Sequence, residues 1–290
     1  MNTVHRYLVQ YMLRNGITTV QNALEFCKCI SEGATEKVEN LTDLRTLIIE
    51  INREISKQFF KIVISTCEVT CHDMIIWLNT KNDQLSRLQN IYSALELEYF
   101  HTILHEILNS EDYKLTFIVC INITSTLTGF FSRDNGQNVL YKWIKAGYFV
   151  RKDAHVHLGP RLILEFTSYL KTHCPNSMCN LCSELVFSGN QCQSCHKMLH
   201  SYCLSKYLVN QETCPCCHKR WSGTDLDLAY QSQNGHRSDD EEEMAELSSV
   251  NKSNNKISQS EDSNNFTHMN TDSDENSNEP GPSTRRKRRR

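Results

Sequence analysis

Apolar residues recur at helical spacing through most of the first 171 positions, interrupted twice by short runs with strand character. His5 to Leu13 has the spacing of a first helix, stopped near Gly16. Thr18-Thr19-Val20-Gln21 has capping-box spacing, with Thr18 at the N-cap and Gln21 at the third helical position. It opens a second helix that runs to Ile30. Leu44, Leu47, Ile48, Ile51 and Ile55 line one face of a third. Phe59–Ile64 and Met74–Leu78 then read as paired strands across a polar connection. The order repeats. Leu88–Leu108 predicts a long amphipathic helix, Val119–Leu127 a short one ending at Gly129, and Asp134–Ala146 a third with Gly147 as its left-handed cap. Tyr148–Val150 and His155–Leu158 flank a turn at Arg151-Lys152-Asp153-Ala154. Gly159-Pro160 starts a last helix with Leu162, Ile163, Phe166 and Leu170 facing inward.

Three helices followed by a hairpin, twice, is the outline of tandem winged helices, the third helix and the hairpin being the recognition helix and the wing. The expected class is therefore mainly α, with α+β winged helices over 1–80 and 85–171. A zinc module (174–221) and a disordered tail (222–290) follow. Winged helices bind proteins as well as DNA, so the fold leaves function open. Residues 1–80 carry 8 basic and 9 acidic side chains, no footprint for a polyanion. Residues 130–171 carry 7 basic against 3 acidic, which makes Lys142, Lys145, Arg151 and Lys152 candidate DNA contacts. An ordinary solvated face accounts for that bias equally well.

Composition changes the picture at the C-terminal end. The chain has 290 residues, is 39% hydrophobic and has a net charge of −3. No apolar run approaches the roughly 20 residues that span a bilayer. The opening Met1-Asn-Thr-Val-His-Arg-Tyr-Leu lacks a signal-peptide layout, pointing to cytosol or nucleus, where cysteines stay reduced. Residues 222–290 hold 14 acidic and 9 basic side chains, with only Tyr230 and Phe266 as aromatics. Such a segment cannot bury enough apolar surface to offset its ordering entropy. Its acidic block, Asp239–Glu243, contrasts with its basic end, Arg285–Arg290, which suits an importin groove or phosphates. Ser238 and Ser273, in acidic contexts, are candidate phosphorylation sites.

Nine of the 14 cysteines lie between Cys174 and Cys217, and a cluster in a reducing compartment means metal before disulfides. Cys179-x2-Cys182-x9-Cys192-x2-Cys195-x4-His200-x2-Cys203-x10-Cys214-x2-Cys217 supplies eight ligands in four close pairs. Two intervening residues let a tight turn aim both side chains at one ion. Eight ligands make two closed tetrahedral sites, so two structural zinc ions are expected, with no position for a substrate water. Cys216 competes with Cys217 and His196 with Cys195; the repeated spacing favours Cys217 and Cys195. Other groups are set aside. His101 and His105 have Thr102 where a zincin carries its Glu, and Cys27, Cys29, Cys67, Cys71 and His72 are isolated and suit packing.

This ligand order resembles the RING-type cross-braced fold. The resemblance implies that Cys179, Cys182, His200 and Cys203 share one ion and Cys192, Cys195, Cys214 and Cys217 the other. The PHD finger has the same order, but the x10 gap is short for it, Glu212 stands two before Cys214 where it has Trp, and Cys214-Pro215-Cys216-Cys217 matches the RING habit. The resemblance also implies ubiquitin ligation by positioning. Leu181, Pro215 and Tyr207 or Leu208 would contact a ubiquitin-conjugating enzyme. His218 stands where many active RINGs have Arg or Lys, a departure that bears on autonomous activity.

The whole arrangement is similar to the non-structural maintenance of chromosomes element 1 family, RING-bearing subunits of the SMC five/six complex. Carrying the likeness are the zinc spacing, Leu13-Arg14-Asn15-Gly16, Trp143-Ile-Lys-Ala-Gly-Tyr-Phe, Phe187-x4-Cys192 and Trp221. It implies a nuclear, chromosome-associated ligase subunit in DNA repair and recombination. A melanoma-antigen (MAGE) family winged-helix partner and other complex subunits are implied with it. The alternatives are a non-catalytic adaptor and a winged-helix DNA binder.

Overall fold

The computed structural model describes residues 2–31, 37–81 and 91–221. Helix α1 (Thr3–Asn15) ends at Gly16, whose φ of +74° lets the chain turn into strand β1 (Ile17–Thr19). Helices α2 (Val20–Ser31) and α3 (Leu41–Ile55) follow, then strands β2 (Phe60–Thr66) and β3 (Asp73–Asn79). The antiparallel sheet has the order β1-β3-β2, with Ile17 opposite Ile76 and Val63 opposite Ile76 from the other side. The α3 stripe Leu44, Leu47, Ile48, Ile51 and Ile55 is buried against Leu8, Met12, Ile62 and Ile75. Asn52 closes the helix onto the sheet: its amide accepts from the Ile62 N–H and donates to the Ile62 carbonyl, both at 2.8 Å.

The second unit repeats the plan. Helix α4 (Ala94–Asn109), strand β4 (Lys114–Thr116) and helix α5 (Phe117–Asn122) precede α6 (Arg133–Lys145), β5 (Phe149–Lys152) and β6 (His155–Leu158). The sheet order is β4-β6-β5, the same as in the first unit. Helices α7 (Pro160–Glu165) and α8 (Thr167–His173) then lead to the cysteine-rich module. That module holds strands β7 (Asn190–Gln191) and β8 (Met198–Leu199) and helix α9 (Ser201–Leu208). Tandem winged helices followed by a RING-like cross-brace are thus present. No described helix is long and apolar enough to cross a membrane.

Several local expectations need correction. Thr18 is not the N-cap of α2. It is a strand residue opposite Ile75, and Thr19 Oγ1 caps instead, accepting from the Asn22 N–H at 3.1 Å. The long helix expected from Leu88 begins at Ala94; residues 82–90 lie outside the described residues. A full capping box sets this start, in which Ser93 Oγ accepts from the Glu96 N–H and Glu96 accepts from the Ser93 N–H. Ser93→Ala should cost about 1 kcal/mol, read as a lower urea midpoint with unchanged m-value. The short helix runs from Phe117, capped by Thr116, and its last turn, Ile123–Thr126, is a 3-10 turn. The last helix breaks at Phe166 into α7 and α8.

The units are tied to one another. The Arg161 guanidinium pairs with Glu165 at 3.0 Å and lies 4.7 Å over the Tyr148 ring. Glu165 also accepts from Tyr148 OH at 3.0 Å and from the Asn79 N–H of the first sheet at 3.4 Å. A buried ion pair is tolerated when its remaining hydrogen bonds are filled, and here they come from both winged helices.

Candidate metal centres

Three pairs of cysteines sit on turns of one design. The Cys179 N–H donates to the Glu184 carbonyl and the Ser183 N–H returns to the Cys179 carbonyl, both at 2.8 Å. Cys192 with Lys197 and His196, and Cys214 with Lys219 and His218, repeat the pattern. The residue closing each turn is left-handed: Ser183 at φ +62°, His196 at +55° and His218 at +58°. His196 closes its own turn, and the groups whose ligand atoms converge contain Cys195 and Cys217 but neither His196 nor Cys216. The fourth pair comes from another element, His200 preceding α9 and Cys203 in its first turn.

Tertiary folding brings these pairs together crosswise. The ligand atoms of Cys179, Cys182, His200 and Cys203 lie within 4.8 Å of one another, as do those of Cys192, Cys195, Cys214 and Cys217. In the second cluster Cys192 and Cys217, and Cys195 and Cys214, are 3.8 Å apart between sulfurs. Two thiolates at ~2.3 Å from a tetrahedral ion stand about 3.8 Å apart. In the first, His200 Nδ1 lies 3.3 Å from Cys182 Sγ and 3.8 Å from Cys203 Sγ, around the roughly 3.6 Å a zinc-bound imidazole and thiolate require. The donor sets are four thiolates, and three thiolates with one imidazole. These are two structural zinc sites, each closed by four protein ligands. All 14 cysteines are free of disulfides. Burial raises the Cys179 thiol, but backbone N–H groups of His200, Leu181 and Cys182 outweigh it and bring the pKa to about 7. Backbone N–H groups of Cys195 and Ser194 likewise overcome burial at Cys192, also to about 7. The first two turns thus favour one thiolate each, while their partners Cys182 and Cys195, and Cys203 of the fourth pair, are raised, so the full thiolate set needs the cation's charge.

Two further features of the centre were not visible in the sequence. Leu185 and Phe187, between the first two ligand pairs, pack in the core of the second winged helix with Tyr99, Phe100 and Trp143. Tyr113 OH meets Ser177 Oγ at 2.8 Å alongside. The module's own core is only Cys179, Val186, Leu199 and Leu204. The second feature is Glu68, in the β2–β3 turn of the first winged helix. Its carboxylate accepts from the Phe187 N–H at 2.9 Å, the Ser188 N–H at 2.7 Å and His200 Nε2 at 3.2 Å. A lone acid 119 residues from Phe187 carries no sequence signal of that role.

Other candidates fall differently. Leu181 and Leu208 pack half-buried on the small zinc core, while Tyr207 and Pro215 are half-buried outside that cluster. Lys142 and Lys145 are exposed on α6. Arg151 is engaged internally, donating to Tyr141 OH at 3.2 Å and lying 4.6 Å over the Phe117 ring. Lys152 Nζ donates to the Val69 carbonyl at 3.4 Å. Burial, with Lys114, His155 and Lys152 nearby, pushes His157 down to about 4, so it adds no charge to this wing. Among the described residues, His101 and His105 join no metal-binding group. The acidic block, the basic end, Ser238 and Ser273 lie outside the described residues.

Comparison with known proteins follows this architecture. A family model described as the Nse1 non-SMC component of the SMC5-6 complex matches residues 5–128, and a RING-like domain model matches 179–217. The chain is 28% identical over 192 residues to the non-structural maintenance of chromosomes element 1 homolog of Drosophila melanogaster, covering 65% of this chain and 82% of that one. It is 25% identical over 230 residues to the Homo sapiens homolog, covering 76% and 85%. A solved chain described as part of an Nse1-Nse3-Nse4 complex superposes with a TM-score of 0.67 at 20% identity, covering 77% and 98%. That last likeness establishes the fold.

Proposed function

The chain belongs to the Nse1 family of RING-like SMC5-6 subunits, and from that membership we propose that it acts in the nucleus, on chromosomes, as a zinc-stabilised assembly subunit serving DNA repair and recombination. The observation that carries this reading is the fusion of the RING-like module to the winged helices through Leu185 and Phe187. Both metal sites are closed, so zinc offers folding energy and no Lewis-acid position. Partners of the Nse3 and Nse4 type, including a MAGE-family winged-helix subunit, fit the exposed apolar side chains of the second unit: Ile118 is 72% exposed and Phe130 92%. Reconstitution with those subunits tests the proposal. The full chain should co-elute stoichiometrically with them, and separate elution at micromolar concentration would oppose the assembly role.

Ubiquitin ligation is the second reading, favoured by Leu181 half-exposed on the zinc core beside the first ligand pair. In it the module orients a conjugating enzyme's thioester for attack by a substrate lysine, catalysis by positioning. At His218 the chain carries an exposed imidazole where RING ligases often carry Arg or Lys. We therefore expect no ubiquitin discharge from the isolated chain. Discharge that appears only with the partner and falls at least tenfold in Leu181→Ala would establish the ligase role. No stimulation under either condition leaves the adaptor.

A further inference from the structure

We propose that Glu68 is a positioning residue for the first zinc site, supplied by the wing of the first winged helix, so that metal retention there and docking of that wing are one event. The inference rests on zinc occupying the Cys179, Cys182, His200 and Cys203 cluster; it is independent of whether the module ligates ubiquitin.

The chemistry of His200 forces the assignment of its two nitrogens. Nδ1 faces Cys182 and Cys203, so it must be unprotonated to bind the ion, and the ring proton sits on Nε2. That N–H has two acceptors, the Leu185 carbonyl at 2.9 Å and Glu68 Oε1 at 3.2 Å. Metal-binding histidines commonly give this second N–H to a carbonyl or carboxylate, which fixes ring orientation and raises ligand basicity. Here both are present, one from the module itself and one from a different domain.

Glu68 is 7% exposed at its side chain. Burying a carboxylate is costly unless hydrogen bonds replace its water. Three donors do so, two backbone N–H groups at Phe187 and Ser188 and the imidazole N–H. Three thiolates and a divalent cation carry a net −1, so no net attraction draws an acid to this site. The hydrogen bond to the metal-polarised imidazole and the two amides hold it.

The turn that presents Glu68 is itself rigid. The Cys67 N–H donates to the His72 carbonyl and the Cys71 N–H to the Cys67 carbonyl, each at 2.9 Å, with Cys71 at φ +57°. This is the hydrogen-bond frame of the three zinc turns, used here to aim a carboxylate. Cys67 and Val69 are buried at 3% and 7%, and Lys152 of the second wing grips the Val69 carbonyl. The second wing thus braces the turn from which the first wing presents Glu68.

Glu68→Gln separates the two roles. A glutamine oxygen still accepts from Phe187 and Ser188, while its amide N–H2 meets the Nε2–H donor to donor. Full-length protein would be loaded with two zinc ions and challenged with a colorimetric chelator. In parallel, cobalt-loaded protein would distinguish the chromophore of the histidine-containing site from that of the all-cysteine site. We expect Glu68→Gln to release one of its two ions about tenfold faster or more. The cobalt band of the histidine-containing site should change with it, and the band of the all-cysteine site should not. Glu68→Asp, still an acceptor, should fall between Gln and wild type. Release at the wild-type rate, or equal acceleration at both sites, overturns the proposal. Wild-type protein that takes up fewer than two zinc equivalents overturns the zinc assignment instead.

Discussion

Cys179→Ser protein should bind one zinc ion where the wild type binds two, and the segments carrying the first site's ligands, 177–188 and 199–204, should lose their fixed structure. Cys179 is fully buried and belongs to both the metal cluster and the module's small core. Serine offers a weak, protonated oxygen in place of a thiolate, leaving an open three-ligand site. Apparent binding free energies of structural zinc in finger peptides are about 10–16 kcal/mol, well beyond what a core of four buried side chains supplies. The damage should spread, because Leu185 and Phe187 leave the second winged-helix core when the module opens. Metal analysis and hydrogen exchange over 174–221 read both effects. Cys216→Ser is the informative control. Cys216 lies outside both clusters and its N–H merely donates to Cys214 Sγ at 3.4 Å, so that variant should retain two ions.

Trp143→Ala should destabilise the second winged helix by about 3–5 kcal/mol, enough to approach the whole stability of many domains. Trp143 is 1% exposed at the centre of an aromatic cluster. Its ring lies 5.1 Å from Phe100 in an edge-on arrangement, 5.5 Å from Tyr99 and 5.8 Å from Tyr92. Removing it opens a cavity bounded by rings pinned elsewhere: Tyr99 OH is bonded to the Cys120 carbonyl at 3.0 Å, and Phe149 is locked in β5. Collapse into the gap is therefore limited, placing the cost at the upper end. Urea unfolding followed by circular dichroism measures it, and a midpoint matching wild type would contradict the packing argument. The first zinc turn should loosen with it, since Phe187 shares this core.

The helices were legible because each carries its own evidence. The α3 stripe from Leu44 to Ile55 is local periodicity, and burial follows it residue by residue. Gly147, at φ +81°, ends α6 in the left-handed conformation that a residue without a side chain adopts most easily. Strands β1 and β4 leave no signal in the sequence because three residues are too few to show alternation; each exists only by pairing with a distant strand. The Thr18 cap failed for the same reason: β3 claims Thr18, which moves the helix start one residue on. The basic bias near the second wing shows what composition leaves out: Lys142 and Lys145 are exposed, whereas Arg151, Lys152 and Arg161 each also have a partner within the chain.

The sequence by itself determined the zinc chemistry, because ligand identity and two-residue spacing are local properties of a turn, and a turn behaves alike wherever it sits. It also determined the repeated helix-and-hairpin order, through periodicity. Which pairs share an ion, and that the zinc module stands on the second winged-helix core with Glu68 reaching across from the first, were decided only by tertiary structure. Those contacts join residues up to 132 positions apart. Their energy comes from desolvation and hydrogen bonds between surfaces that no short window of sequence contains.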